Sequence, residues 1–218
     1  MEDGPLIPIG LLFLLVIVLA VRAKRKRARQ ALLERWARSN GWSYDPSHPM
    51  VAWIGRLPGG IWWDVSLLLS GTLSGRAVSV AEYAYFEIGS GGGMESGGGM
   101  EMTFGGDRFI VVVVNLHTPL PDMEVRPRAS RRPGSGAQSA ETFDQRFSVL
   151  GDAVATEQVI PPALLAEHVA GTVPPWSVHD TELMTYTRGR LRDPERIPDF
   201  VAPLLRVADH LDPRGDVS

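Results

Sequence analysis

The chain has no cysteine, which excludes disulfides, thiolate zinc sites, iron–sulfur ligation and cysteine nucleophiles together. It is almost without lysine: two lysines, Lys24 and Lys26, accompany twenty arginines. Catalytic signatures are missing too. No serine occupies a GxSxG frame, and HExxH, an EF-hand loop and a paired-glycine dinucleotide fingerprint after a strand are all absent from the sequence. The glycine-rich stretch 89–106, with its tandem GGGME, lacks the Gly-Lys-Ser/Thr that a phosphate loop needs. The histidines (His48, His117, His168, His179, His210) are scattered. The sequence therefore assigns no catalytic residue, no cofactor site and no metal site. Its densest polar group, His179 to Glu182, falls where a turn is expected, and turns recruit Asp and Thr for backbone reasons.

What is present is a strongly asymmetric charge pattern. Residues 6–21 carry no charge and include thirteen Leu, Ile, Val or Phe. Near the bilayer centre these would contribute roughly −4 to −8 kcal/mol as an upper bound. Sixteen helical residues rise about 24 Å against a hydrocarbon core of about 30 Å, a shortfall that local thinning and snorkelling cover. Six basic residues follow at once: Arg22, Lys24, Arg25, Lys26, Arg27 and Arg29. From Trp36 to Ser218 the balance reverses, with 22 acids against 15 arginines, a net of −7. A nucleic-acid binder carries its excess positive charge on the folded domain, so no nucleic-acid partner is expected. The pattern predicts a transmembrane anchor over 1–21 and a basic juxtamembrane collar over 22–29. The alternative, a signal peptide cleaved after Val18-Leu19-Ala20, conflicts with the acidic start and with basic residues that would have to cross the membrane first. The same bias predicts a cell-membrane protein with its N-terminus outside and its C-terminal domain cytoplasmic. The collar residues could contact lipid headgroups besides fixing topology.

Residues 30–212 predict one α+β cytoplasmic domain, a mainly antiparallel sheet covered by helices. A helix over 28–39 presents Leu32, Leu33, Trp36 and Ala37 and stops at Asn40-Gly41. Strands are predicted at 61–69, 76–88, 108–117 and 123–126, the third apolar on both faces and hence central. Residues 142–150 suggest a short turn plus strand. A helix opens at Pro161-Pro162 and ends at Gly171. A hairpin is predicted from Trp176–His179 and Glu182–Thr187, and residues 194–211 form an amphipathic helix around Pro203. Flexible insertions are expected at 89–106 and 126–141. Five tryptophans (Trp36, Trp42, Trp53, Trp62, Trp63) cluster near the apolar segment. They could build the core or an interfacial belt, and Trp62 and Trp63 could line an apolar pocket.

The layout resembles a family of uncharacterised membrane-anchored actinobacterial proteins. The resemblance rests on the anchor and collar, Asn40 to Tyr44, Gly75-Arg76 before Glu82-Tyr83-Ala84-Tyr85, and Val113 to Pro121. It continues through Phe143 to Val149, Trp176, and the terminal helix. It implies no activity and no catalytic residues. The functional expectation is a membrane-tethered interaction or accessory domain, with a possible protein partner at the cytoplasmic face and no enzymatic role. The alternative is a small-ligand or lipid-binding module with a Trp-lined apolar pocket.

Overall fold

The computed structural model describes residues 6–47, 50–59, 62–90, 102–128, 142–152 and 159–213, without the side chains of 6–13, 15, 62, 86–90 and 102–105. The first element is one long helix, α1 (Leu6–Ser39), running from the apolar segment through the collar into the domain. It ends on the signals visible in the sequence: the Trp42 amide returns to the Ala37 carbonyl across Gly41, whose φ is 72°. Among the described residues no helix is long and apolar enough to cross a membrane. The described side chains of α1 begin at Leu14, eight residues before Arg22.

Among the described residues six strands form one antiparallel sheet: β1 (Ser43–Asp45), β2 (Trp62–Leu73), β3 (Arg76–Ser90), β4 (Met102–Pro127), β5 (Phe147–Gly151) and β6 (Trp176–Arg188). β4 is its spine. β3 and then β5 pair along one edge of β4, and β6 pairs along the other. The fold is thus α+β and mainly antiparallel, as the pattern predicts.

Three local expectations change. The segment 123–126 continues β4 instead of forming a separate strand, because the irregular stretch between Asn115 and Met123 is absorbed as bulges against β6. Likewise 176–187 is one strand and not a hairpin: Asp180 sits at φ 55° at the bulge, and both halves find partners on β4. The insertions are shorter than expected. β3 and β4 stay paired out to Ser90 and Met102, and β4 includes Arg126 and Pro127. The cores of those insertions, 91–101 and 129–141, lie outside the described residues.

The valine run places its side chains on alternate faces. Val112 and Val114 join a core with Leu33, Trp36 and Ala37 of α1 and with Leu204 and Leu211 of the last helix, α4 (Ile197–Leu211). Earlier in the chain the one-turn helix α2 (Phe143–Arg146) leads into β5, and helix α3 (Pro162–Ala170) closes the same face through Leu164. Leu32 instead is 45% exposed, since Leu33, Trp36 and Ala37 already define the buried stripe and Leu32 lies about 100° away. Val111 and Val113 face the other side, where Trp53 and Leu57, in and just after the 3-10 turn Ala52–Arg56, cover them. That cover is small, and a row of rings extends beyond it: Tyr85 stacks on Phe109 at 5.9 Å, and Tyr186 meets Phe109 edge-on at 5.5 Å.

Two buried ionic knots tie the helices to the sheet. Arg76, fully buried, donates from Nη1 to Asp212 at 2.8 Å and from Nη2 to the Asp212 carbonyl. Asp212 also accepts from the His117 amide at 2.6 Å and the Thr118 hydroxyl at 3.1 Å. Midway along β3, Glu82 accepts from Arg29 of α1 and from the Leu191 amide at 2.6 Å. Arg29 donates onward to the Leu191 carbonyl at 2.8 Å.

Candidate functional site

β4 alternates apolar and polar side chains through 122–126. Met123 and Val125 enter the helix-covered core, while Glu124 and Arg126 point to the opposite face. There the bulged halves of β4 and β6, the end of β5 and the 3-10 turn enclose a cleft of about 690 Å3. Its walls come from Gly55-Arg56, residues 122–127, Leu150-Gly151, residues 175–179 and residues 184–186. Gly151 permits the close approach of β5: a Cβ there would lie 2.6 Å from the Asp122 carbonyl oxygen, and its φ is 137°.

The cleft combines apolar surface with a charged rim. Met184, Leu150 and Tyr186 supply the apolar part, the last two about 40% exposed (39% and 41%). On the rim His179 Nδ1 lies 2.6 Å from Asp122 Oδ1. Arg56 donates to the Glu182 carbonyl and to its carboxylate, both at 2.9 Å. Burial lowers the Arg56 pKa, against the opposing charge of Glu182. Burial also raises the Tyr186 hydroxyl, helped by Glu124 and opposed by Arg126. Tyr186 therefore stays neutral at physiological pH. Among the described residues no group of three His, Asp or Glu side chains is arranged to hold a metal. Such a cleft can seat an amphiphile, with its apolar part against Met184, Leu150 and Tyr186 and its polar part against Arg56, Arg126 and the His179–Asp122 pair.

The residues singled out by sequence are spread over the molecule. Trp63 is 42% exposed and stands outside the cleft, and the Trp62 side chain lies outside the described residues. The tryptophan in the cleft wall is Trp176, whose indole donates to His168 Nε2 at 2.9 Å. His179 does reach the rim, held by Asp122, whereas Glu182 stands outside the lining and holds Arg56 of the cleft wall. The collar residues Arg22, Lys24, Arg25, Lys26 and Arg27 are exposed along α1, whereas Arg29 turns inward to Glu82. Sequence reasoning missed the cleft because five separated stretches of the chain build it. The alternation of Asp122, Glu124 and Arg126 with Met123 and Val125 was the one local hint of a strand with a working polar face.

No family model matches the chain, and no curated protein matches it in sequence. Among solved structures, the fold is similar to that of the mycobacterial trehalose monomycolate transport factor A, TtfA, at a TM-score of 0.50 and 10% identity. The likeness covers 85% of this chain and 95% of that one. It is a likeness of fold, and it comes from an actinobacterial protein, in keeping with the resemblance seen in the sequence.

Proposed function

We propose that this chain is a membrane-tethered accessory protein of lipid transport, anchored by residues 6–21 with its domain on the cytoplasmic face. The observation that carries the proposal is the likeness of fold to a protein whose name describes a lipid transport factor. α1 supports the tether: Leu14, Val16 to Leu19 and Val21 are exposed on the same unbroken helix that buries Leu33 and Trp36 in the core. An exposed apolar helix of this kind calls for a membrane or a partner to cover it. The collar after the apolar segment supports a cytoplasmic domain. No catalytic step is proposed.

Crosslinking of the chain in its own membranes, followed by affinity purification, tests the role. An integral lipid transporter should co-purify. Extraction of the chain by alkaline carbonate would refute the tether, and recovery of the chain without any transport component would refute the accessory role.

The cleft favours a second reading, in which the domain itself holds the lipid. Lipid extracted with the purified chain should then fall when Leu150→Asp places a charge among the apolar walls. Unchanged lipid content in that variant would remove this reading.

A further inference from the structure

The sequence puts positive charge beside the apolar segment and leaves the domain acidic, yet the fold gathers arginines at one end of the domain. The direction of α1 shows which end. Trp36 packs on Trp42 at 5.5 Å, and the Trp42 ring covers Gly71, which pairs with Val78 of β3. Seven residues earlier on α1, Arg29 meets Glu82, four residues later on β3. The helix therefore runs toward its N-terminus as β3 runs toward its C-terminus. Arg22 lies about 10 Å beyond Arg29 along the helix. Three residues past Glu82, about 10 Å along the strand, is Tyr85, which pairs with Trp63. Trp63, 42% exposed, thus stands level with the junction of apolar segment and collar.

At this level the chain returns twice. β4 brings Arg108, which pairs with Ala84 of β3. The segment after β6 brings Arg190 and Arg192, which flank Leu191, and Leu191 is fixed by its amide to Glu82 and by its carbonyl to Arg29. All three arginines are exposed. The acids nearby are in part already engaged: Glu82 holds Arg29 and the Leu191 amide, and Asp107 holds Arg188 at 2.7 Å. The Gly189 amide donates to the Arg108 carbonyl at 2.9 Å and so holds the two segments together; burial lowers the pKa of Arg108 and the charge of Arg190 lowers it further, while Glu82 and Asp64 oppose them. Like charges held together by backbone hydrogen bonds are a standing site for an anion.

We infer that Arg108, Arg190 and Arg192, with Trp63 at the same level on the opposite face of the sheet, form the end of the domain that docks against the anionic headgroups of the bilayer that holds α1. The inference rests on the tether proposed above. It extends the headgroup contact from the collar on α1 to the adjacent end of the sheet. Charge complementarity selects the occupant, and tryptophan is at home at the depth where headgroups meet acyl chains.

The test uses the full chain in nanodiscs of phosphatidylcholine alone, or of phosphatidylcholine with an equal part of phosphatidylglycerol. Arginine-selective labelling with phenylglyoxal is read residue by residue by mass spectrometry, with the exposed Arg206 as reference. In the anionic discs Arg108, Arg190 and Arg192 should react about fivefold more slowly than in the neutral ones, and high salt should restore their reactivity. Arg206 should not change. If the three react alike in both lipids while Arg22 and Arg25 are protected, the docking surface is refuted and the tether stands. If Arg22 and Arg25 are unprotected as well, tether and docking surface fall together. The Trp63→Ser chain adds an independent arm: quenching of tryptophan emission by brominated lipid should decrease relative to wild type, and equal quenching counts against Trp63 lying at the interface.

Discussion

Replacing Asp212 by alanine should destabilise the domain by about 3–5 kcal/mol, a large part of the ~5–15 kcal/mol that holds a typical domain. Asp212 is the acceptor for three groups at once: Arg76 Nη1, the His117 amide and the Thr118 hydroxyl. Alanine leaves the fully buried Arg76 guanidinium with only the half-exposed Asp209 carboxylate, 3.6 Å from Nε, as an ionic partner, and leaves two further donors unpaired. Asp212→Asn keeps an oxygen for the amide and removes only the charge, so its cost should be smaller, about 1–2 kcal/mol. The double change Arg76→Met with Asp212→Asn removes both charges and should cost less than Asp212→Ala alone. Urea unfolding of the detergent-held full chain, followed by emission from the buried Trp36, Trp42 and Trp176, gives the three values. The acid limb provides a separate check. Burial pushes the Asp212 carboxyl up, but its hydrogen bonds from Arg76, His117 and Thr118 outweigh burial and hold it below the usual value of 3.8. Its stabilisation is therefore complete above that value and is lost as pH falls through the lower folded one. The asparagine variant should lack this part of the acid loss. A cost below about 1 kcal/mol for Asp212→Ala would refute the reasoning, because a buried guanidinium cannot lose its closest carboxylate that cheaply.

His168, fully buried among Phe143, Phe147 and Trp176, has its pKa pushed down to about 4 by burial, against the charge of Glu167. The unfolded chain takes up this proton first, so stability should fall by roughly 2–3 kcal/mol between pH 6.5 and 4. His168→Phe should flatten that limb in pH-dependent urea unfolding. Gly71→Ala would place a Cβ 2.4 Å from the Trp42 ring, so thermal unfolding should show a loss of about 1–3 kcal/mol that Trp42→Leu partly relieves. Val112→Asp and Val113→Asp each bury a carboxylate at 2% and 4% exposure. Both should unfold the domain or cost several kcal/mol by circular dichroism, and Val113→Asp should be the milder because only Trp53 and Leu57 with the residues around them cover its face.

The elements were legible in the sequence wherever a local rule fixes them. The αL glycines Gly41 and Gly171 end α1 and α3 where the pattern stops. The unbroken valine run announced a strand buried on both faces, and β4 is that strand. Errors arose where partners far away in sequence override a local signal. Asp180-Thr181 has the composition of a turn, but β4 continues past it on the same edge, so pairing with Leu120 on one side and Asn115 on the other absorbs it as a bulge. The glycine-rich and proline-rich borders at 89–90, 102–106 and 126–127 gave the same false impression of loops, because each residue there still has a ladder partner.

The distribution of charge shows most clearly what a linear reading omits. A net of −7 on the domain is the ground for expecting no nucleic-acid partner, but a sum says nothing about where charges stand. Glu82 decides the placement. It lies 53 residues from Arg29 and 109 from Leu191, yet it bonds both. With that one carboxylate buried at 3% exposure, α1 and the 188–192 segment must meet at the same end of the sheet. The exposed arginines on either side of Leu191 then have no choice but to stand beside the collar. The acids that set the domain's net charge lie partly elsewhere, with Glu182 holding Arg56 and Asp212 holding Arg76 at the ends away from α1's N-terminal half. The basic end of the domain is therefore a consequence of where one buried carboxylate sits, and no count of residue types contains that information.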